Sequence, residues 1–576
     1  MNIRTMRFND LCGVWRTVVL LVVCGTSCVS ASAGLREEVE KAKSRFRPVT
    51  QQDIERAKTE VRQALTDVEG FVGRSTQKAL AWKEFILWNE QLKQLSGNAP
   101  LNLEHWRDVH WRELRDAPGL EHPAFQRHRV AVRRLIDVAE AAAHADLKSE
   151  FEQTLTALKK LLPADEKNLS ADQADEVSRL LARLHRGQQA GDLVGRIRQR
   201  YAHPNFLISA PAALFEELGQ GRIEQEFDVN DVINGASVRG DGRLRGTQRA
   251  SLTKSSQKGV IRVDVTGNTV SDTRAYQDGV TVYGHNTLRF SSATGIDLSP
   301  DGIRVRPFKT AAVLSTEIRG IATSYRGRRD SEARSRVYGR REIDRREGQR
   351  RAIRELNDGF YENVSAQIEP AVTTYEERVR KPLLRFDNFP QKAGVTSSQS
   401  ELQVQAFFAD EYQLAAPKPA PSVGTEKALR VAMHQSAFNN TMTAVLAKQS
   451  MSLRAALQQW LSVQSAEVAD ETDPLEITFS ESAPLHVSFD QGKLTVTASG
   501  EGYRHRDQRY SGMDLVLQYR TERKNNRWWL VLNGPPEVLL PKRPDGTRPK
   551  LGIRDYALRR ILTNVVERDA PQRSEL

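Results

Sequence analysis

Near Pro204 the chain changes its hydrophobic period. Before that point apolar residues recur every three or four positions, and after it they recur every second position. The first spacing gathers side chains on one face of a helix, the second on one face of a strand. One chain must therefore carry a helical region followed by an antiparallel β-rich one.

Residues 34–203 read as helices. Thr50, three residues ahead of Asp53, has the form of an N-cap, and Ile54, Val61, Leu65 and Val68 follow on one face. Leu147, Phe151, Leu155, Leu158 and Leu162 form a second stripe, which Pro163 stops. Ser170 and Gln173 make a capping box ahead of Val177, Leu180 and Leu184, and Gly187 closes that helix. Amphipathic helices joined by short loops predict an antiparallel helical bundle.

Residues 204–324 are rich in Gly, Thr, Ser and Val. Ile261, Val263 and Val265 alternate with Arg262, Asp264 and Thr266, and Asp301-Gly302 supplies a hairpin turn before Ile303-Arg304-Val305. This predicts an antiparallel β-rich domain with one apolar face. Residues 325–390 predict a long basic helical arm. From 326 to 355 twelve arginines stand against six carboxylates, with pairs at Arg340 and Arg341, Arg345 and Arg346, and Arg350 and Arg351. Ile353, Leu356, Phe360, Val364 and Ile368 then form a stripe ahead of Pro370. Such a helix is exposed at its basic start and docked at its apolar end. A solvated face accounts for the charge; the alternative is a polyanion-binding surface built on those six arginines.

Residues 391–570 predict a C-terminal α+β domain, and 571–576 a tail. Leu429 to Met433 alternate as a strand, and residues 437–447 follow as a helix with Phe438, Met442 and Val445 on one side. Leu485, Val487 and Phe489, then Leu494, Val496 and Ala498, flank a turn at Asp490-Gln491-Gly492. Trp528 and Trp529 place one indole on each face of a strand, as a core residue backed by a surface one or as a platform for sugar rings or acyl chains. The order at 206–215 (strand, small residues, short helix) recurs at 429–440. The fold class is thus α+β: an N-terminal helical bundle, then antiparallel β-rich domains with a long basic helical arm between them.

These strand–helix–meander units loosely resemble the tubular lipid-binding superfamily, and residues 429–446 and 485–498 carry the likeness. Its members wrap a twisted sheet and a helix around acyl chains, so the resemblance implies an apolar groove. It covers a small part of the chain and includes no diagnostic motif, and no membership follows from it.

Residues 1–33 have the pattern of a secretory signal peptide. Arg4, Arg7 and Arg16 precede the run Val18 to Val23, and Ala31-Ser32-Ala33 meets Gly34. Cleavage near Ala33 predicts an exported protein, periplasmic or extracellular. A lipid anchor on Cys24 or Cys28 ranks below simple cleavage because the residues around them fit the lipoprotein pattern poorly. All three cysteines, Cys12, Cys24 and Cys28, fall in this leader, so the mature chain has no disulfide, thiolate metal site or cysteine nucleophile. No later segment is long and apolar enough to span a bilayer.

Chemical motifs are sparse. No G-x-S-x-G elbow or H-E-x-x-H pair occurs, and His105 and His110, five apart, point to different sides of a helix. Gly240, Gly242 and Gly246 lack phosphate-loop spacing and sit in the β-rich segment. No cofactor, catalytic residue or metal ligand is expected. The leader carries +2 of the formal net charge of +12, and the basic remainder suits an anionic envelope polymer or lipid rather than nucleic acid. The leading expectation is a non-catalytic protein that binds or supports the cell envelope. The alternative is an amphiphile carrier, with an apolar groove formed by the sheets and the helix around Phe438 and Met442. An enzyme acting on polysaccharide ranks third, and the sequence sets no oligomeric state. Expression with secretion should yield a chain beginning at Gly34, as read by N-terminal sequencing; a retained Met1 on the exported protein refutes the leader.

Overall fold

The computed structural model describes residues 34–97, 100–163, 168–390, 392–421, 429–453, 475–481, 483–506, 508–524, 527–541, 548–569 and 573–575. The leader and the side chain of Trp528 lie outside the described residues.

The helical region comprises α1 (Leu35–Lys43), α2 (Gln51–Val72), α3 (Gln77–Phe85), α4 (Trp88–Ser96), α5 (Leu103–Arg112), α6 (Pro123–Ala143), α7 (Leu147–Leu161), α8 (Ala171–Arg186) and α9 (Gly191–Tyr201). Local sequence sets these bounds. The Thr50 amide donates to Asp53 Oδ2 at 2.9 Å, and Ser170 and Gln173 exchange backbone-to-side-chain bonds at 2.9 and 3.2 Å. Two cores form. Val61, Leu65, Trp106, Phe125 and Leu135 fill one; Phe151, Leu155, Val177, Leu184 and Ile197 fill the other. The first core contains a sealed polar group. His128 meets Glu113 Oε1 at 2.7 Å and Gln91 Oε1 at 3.0 Å, which satisfies both ring nitrogens away from water.

Strand β1 (Phe206–Pro211) and helix α10 (Ala212–Gly219) lead into β2 (Gly221–Ile233), β3 (Ala236–Thr253), β4 (Gly259–Gln277), β5 (Val280–Ser299), β6 (Gly302–Val305) and β7 (Lys309–Thr323). These last six make one antiparallel sheet, ordered β2-β3-β4-β5-β6 with β7 also on β5. Two-residue turns set its register. Asn234 and Gly235 (φ 49° and 87°) and Asp278 and Gly279 (φ 48° and 75°) take the left-handed conformations that such hairpins need. On the outer face Glu224 and Glu226 pair with the directly opposed Arg245 and Arg243, at 2.9 and 2.6 Å.

Helix α11 (Arg328–Tyr375) follows, continued by a π-helical turn at Glu376–Arg380 and by α12 (Lys381–Arg385). The helix runs straight through Pro370, where the apolar stripe was expected to stop. Ala371 and Tyr375 extend the buried face past the proline, and Thr374 Oγ1 donates to the Pro370 carbonyl at 2.7 Å. Leu356, Phe360, Val364 and Ile368 dock on the inner face of the long-stranded sheet.

The chain then returns. Strands β8 (Lys392–Ser397), β9 (Glu401–Phe407) and β10 (Arg430–Met433) join β1 in a sheet ordered β10-β1-β9-β8, so the two similar strand–helix units sit side by side. Helix α13 (Gln435–Leu446) links the cores: Ala437 packs into the sheet–helix core, and Met442, Val445 and Leu446 into the C-terminal one. The C-terminal region holds β11 (Ser450–Ser452), β12 (Leu475–Phe479), β13 (Leu485–Asp490), β14 (Lys493–His505), β15 (Gln508–Ser511), β16 (Asp514–Lys524), β17 (Arg527–Leu532), β18 (Glu537–Leu539), α14 (Ile553–Asp569) and β19 (Arg573–Glu575). Its strands form a nine-stranded antiparallel sheet. The architecture is α+β, with N-terminal helices, antiparallel sheets and a long helix between them. No helix among the described residues is long and apolar enough to cross a membrane.

Phe360 is 5% exposed, and its ring lies 5.7 Å from that of Phe290 and 5.6 Å from that of Phe308. Phe360→Ala should destabilise the sheet–helix unit by about 3–5 kcal/mol. Hydrogen exchange of the β5 and α11 amides checks this, and unchanged protection would refute the docking.

Candidate ligand-binding groove

Helix α11 and the long strands span similar distances. Forty-eight helical residues reach about 72 Å, and the twenty residues of β5 reach about 66 Å. The helix can therefore lie along the whole sheet, yet it seals only half of it. Large side chains occupy its sheet-facing stripe from Leu356 onward. Toward the N-terminus the same stripe carries Ala333, Val337, Gly348 and Ala352, interspersed with Arg and Asp. Side chains this small do not reach the floor, and a cavity of about 410 Å³ remains between helix and sheet. That volume lies within the range of about 300–1,000 Å³ typical of small-molecule sites.

The floor follows the strand period of two. Phe227, Val229 and Ile233 come from β2, Val282 and Leu288 from β5, and Leu314 and Ile318 from β7. Down its middle runs a strip of small residues, with Ser271 and Thr273 beside Gly240, Gly242 and Gly284. Gly242 lies under the Phe227 ring, and a Cβ there would stand 2.4 Å from a ring carbon. Three polar side chains of the floor, Asn286, Thr273 and Thr316, bond one another. Asn286 Nδ2 donates to Thr273 Oγ1, and Thr316 Oγ1 donates to Asn286 Oδ1, both at 2.9 Å. With their hydrogen bonds closed, these groups present a neutral surface, and the apolar residues set the character of the groove. Leu288 and Leu356 belong both to the groove wall and to the sheet–helix core in which the rings of Phe290, Phe308 and Phe360 pack together.

The basic half of α11 forms the rim. Arg345 pairs with Glu342 at 2.6 Å and donates to the Leu314 carbonyl at 3.1 Å, and Arg341 donates to the Thr316 carbonyl. On the opposite wall Arg351 bridges Asp231 at 2.7 Å and Glu347 at 3.1 Å, and Asn234 Nδ2 donates to Asp344 at 2.6 Å. These contacts pin the helix to β7 on one side and to β2 and its turn on the other. The hydrogen bond from Arg345 draws the Glu342 carboxyl down to about 2, and burial raises that of Glu355 in the groove wall. Arg336 and Arg340 also line the groove; both are exposed, and neither has an ion-pair partner among the described residues.

The residues singled out by sequence thus separate. Arg340, Arg341, Arg345 and Arg351 line the groove, whereas Arg346 and Arg350 point away from it and pair with Glu342 and Glu347. Phe438 and Met442 pack into the C-terminal core rather than into this cavity. Trp529 is half-buried on β17 and also lies apart from it. Sequence reasoning missed the strand residues of the floor. Their signal was present, because alternation in β2, β4 and β5 with Gly, Ser and Thr at the inner positions marks a hollow rather than a filled face. Among the described residues no three His, Cys, Asp or Glu side chains converge as a metal site needs.

No protein-family model matches the chain, and no curated protein matches it in sequence. Among solved structures it is similar to a lipopolysaccharide binding protein. The identity is 12%, the match covers 65% of this chain and 93% of that one, and the TM-score is 0.20. A likeness this distant carries no argument. The groove stands on its own geometry.

Proposed function

We propose that the protein is an exported, non-catalytic binder of anionic amphiphiles, holding the acyl portion between the long-stranded sheet and α11. One observation supports this reading above the others. A largely apolar cavity, walled by strand residues and by Leu356 of the helix, is rimmed by two exposed arginines, Arg336 and Arg340, without ion-pair partners among the described residues. An acyl chain gains by leaving water for such walls, and an anionic head group gains a charge-assisted contact at Arg336 or Arg340. A neutral apolar ligand would leave the rim unused; a polyanion would leave the cavity unused. The leader motif supports placing this activity outside the cytosol. The alternative of a polyanion-binding arm has less support, because Arg345, Arg346, Arg350 and Arg351 are already in ion pairs with carboxylates of their own helix or of β2.

Two variants separate the parts of the groove. Gly348 faces the cavity with only Leu314 and Ile233 near, and a Cβ there would meet them at ordinary contact distances of 3.5 and 3.7 Å. Gly348→Phe fills the cavity while keeping the helix, so it should abolish binding of a fluorescent fatty acid. Reversing Arg336 and Arg340 together to Glu should weaken that anionic probe about tenfold or more. The same change should leave the corresponding fatty alcohol unaffected. Fluorescence titration of the full chain reads both. Full binding by Gly348→Phe would refute the groove, and equal loss for acid and alcohol would refute the role of the rim.

A further inference from the structure

A second cavity, of about 650 Å³, lies between the helical bundle and the C-terminal region, separate from the acyl groove. Four helices turn one face to it. On α6 Arg133, Asp137 and Glu140 follow at the spacing of one face, and α8 presents Asp175, Arg179 and Arg186 in the same way. Trp111 on α5 and Asn440 on α13 complete the walls.

The charged groups of this cleft are largely consumed by one another. Arg133 donates to Asp410 Oδ2 at 2.6 Å and to the Tyr412 hydroxyl. Arg186 pairs with Glu481, and Arg107 with Glu140. His486 Nε2 lies 2.9 Å from Asp175 Oδ2. Among the buried charged groups Asp137 is the exception. It lines the cavity at 8% exposure with no hydrogen bond or ion pair among the described residues. Nδ1 of His110, also in the wall, is enclosed without a hydrogen-bond partner.

A carboxylate held away from water without a donor costs stability. Burial pushes Asp137 up to about 7, and burial with the nearby Arg133 pulls His110 down to about 3, so its imidazole is neutral. The Asp137 carboxyl is thus open to a hydrogen-bonding ligand in the cavity. A cation is disfavoured there, because Arg133 and Arg186 both act on Asp137. An anion would meet Asp137, Glu140 and Asp410. What fits is a neutral molecule with many hydroxyls and some apolar surface, which an indole and paired polar walls accommodate.

We infer that this cleft binds a neutral polyhydroxylated ligand of saccharide type, whose hydroxyls hydrogen-bond Asp137. The inference is independent of the amphiphile reading, since no residue of the acyl groove takes part.

The test uses the full chain, its Asp137→Asn variant, an array of neutral mono- to trisaccharides, and putrescine as the cationic comparison. Calorimetry should show at least one saccharide bound, and the variant should bind it about tenfold more weakly or worse. Binding of no saccharide at millimolar concentration overturns the proposal. So does a preference for putrescine, or equal affinity in the variant. Thermal melts supply a second readout. The folded state holds the Asp137 proton up to about pH 7, whereas the free carboxyl loses it near 3.8, so this group makes stability fall as pH rises through that window. Arg133 and Glu140 on α6, Arg186 on α8 and Asp410 after β9 are the charges that act on it. Asp137→Asn should melt at or above the parent temperature at pH 7 and lose this part of the pH dependence. A variant that melts lower shows that the carboxylate serves the fold, and that result also overturns the proposal.

Discussion

The packing of one helical stripe on one sheet face organises the centre of this molecule. Leu356, Phe360, Val364 and Ile368 of α11 insert among Phe290, Phe308 and the inner residues of β4 and β5. Because this contact is confined to the second half of the helix, the first half is carried over the sheet as a cantilever. Its height is set by the docked end and its sides by Arg345 on β7 and Arg351 on β2. A hollow persists beneath it for a simple reason. On the helix side the facing positions include Ala333, Gly348 and Ala352, too small to fill the gap above the apolar floor. Bulk at the docked end of the helix and smallness toward its start turn an ordinary sheet–helix sandwich into a groove.

Net basicity takes on a different meaning in this setting. A surplus of arginine in the sequence suggests a surface that attracts polyanions. In the folded chain Arg341, Arg345 and Arg351 of α11 instead act as struts to the sheet, and their value lies in geometry rather than in net charge, since exposed ion pairs contribute little each. Of the exposed arginines of α11 without an ion-pair partner among the described residues, Arg336 and Arg340 are the ones that line the groove. The second cavity follows the same logic with the sign reversed. There most charges are paired, and the buried carboxyl left without a partner among the described residues is Asp137.

Helix α13 holds these parts together through side-chain amides. Asn439 bonds both the amide and the carbonyl of Val487, at 2.7 and 3.0 Å, and so acts like a neighbouring strand for β13. Asn440 donates to the carbonyls of Phe408 and Leu414, each at 2.8 Å. Buried amides of this kind are costly if left open and rigid once closed. They tie α13 to β13 and to the segment that follows β9, beside the cleft whose wall includes both asparagines.

Local order was written plainly along the chain. The caps at Thr50 and Ser170, the stripe from Leu356 to Ile368 and the alternation of Ile261 to Val265 specify helix, long helix and strand, because each depends on neighbours within a few residues. Asn234-Gly235 and Asp278-Gly279 carried equally clear hairpin information that the alternation alone did not use. Long-range association was not legible in this way. Asn205 meets Phe408 across 203 residues, and Asp137 comes to face a wall built from α13 and β13. Such meetings depend on complementary surfaces finding each other, and no period or spacing encodes them. Secondary structure and the sign of the charge were therefore set by short-range physics in the chain itself. The hollow under α11, the two idle arginines and the idle acid came into being only through packing, because a cavity is defined by what fails to touch.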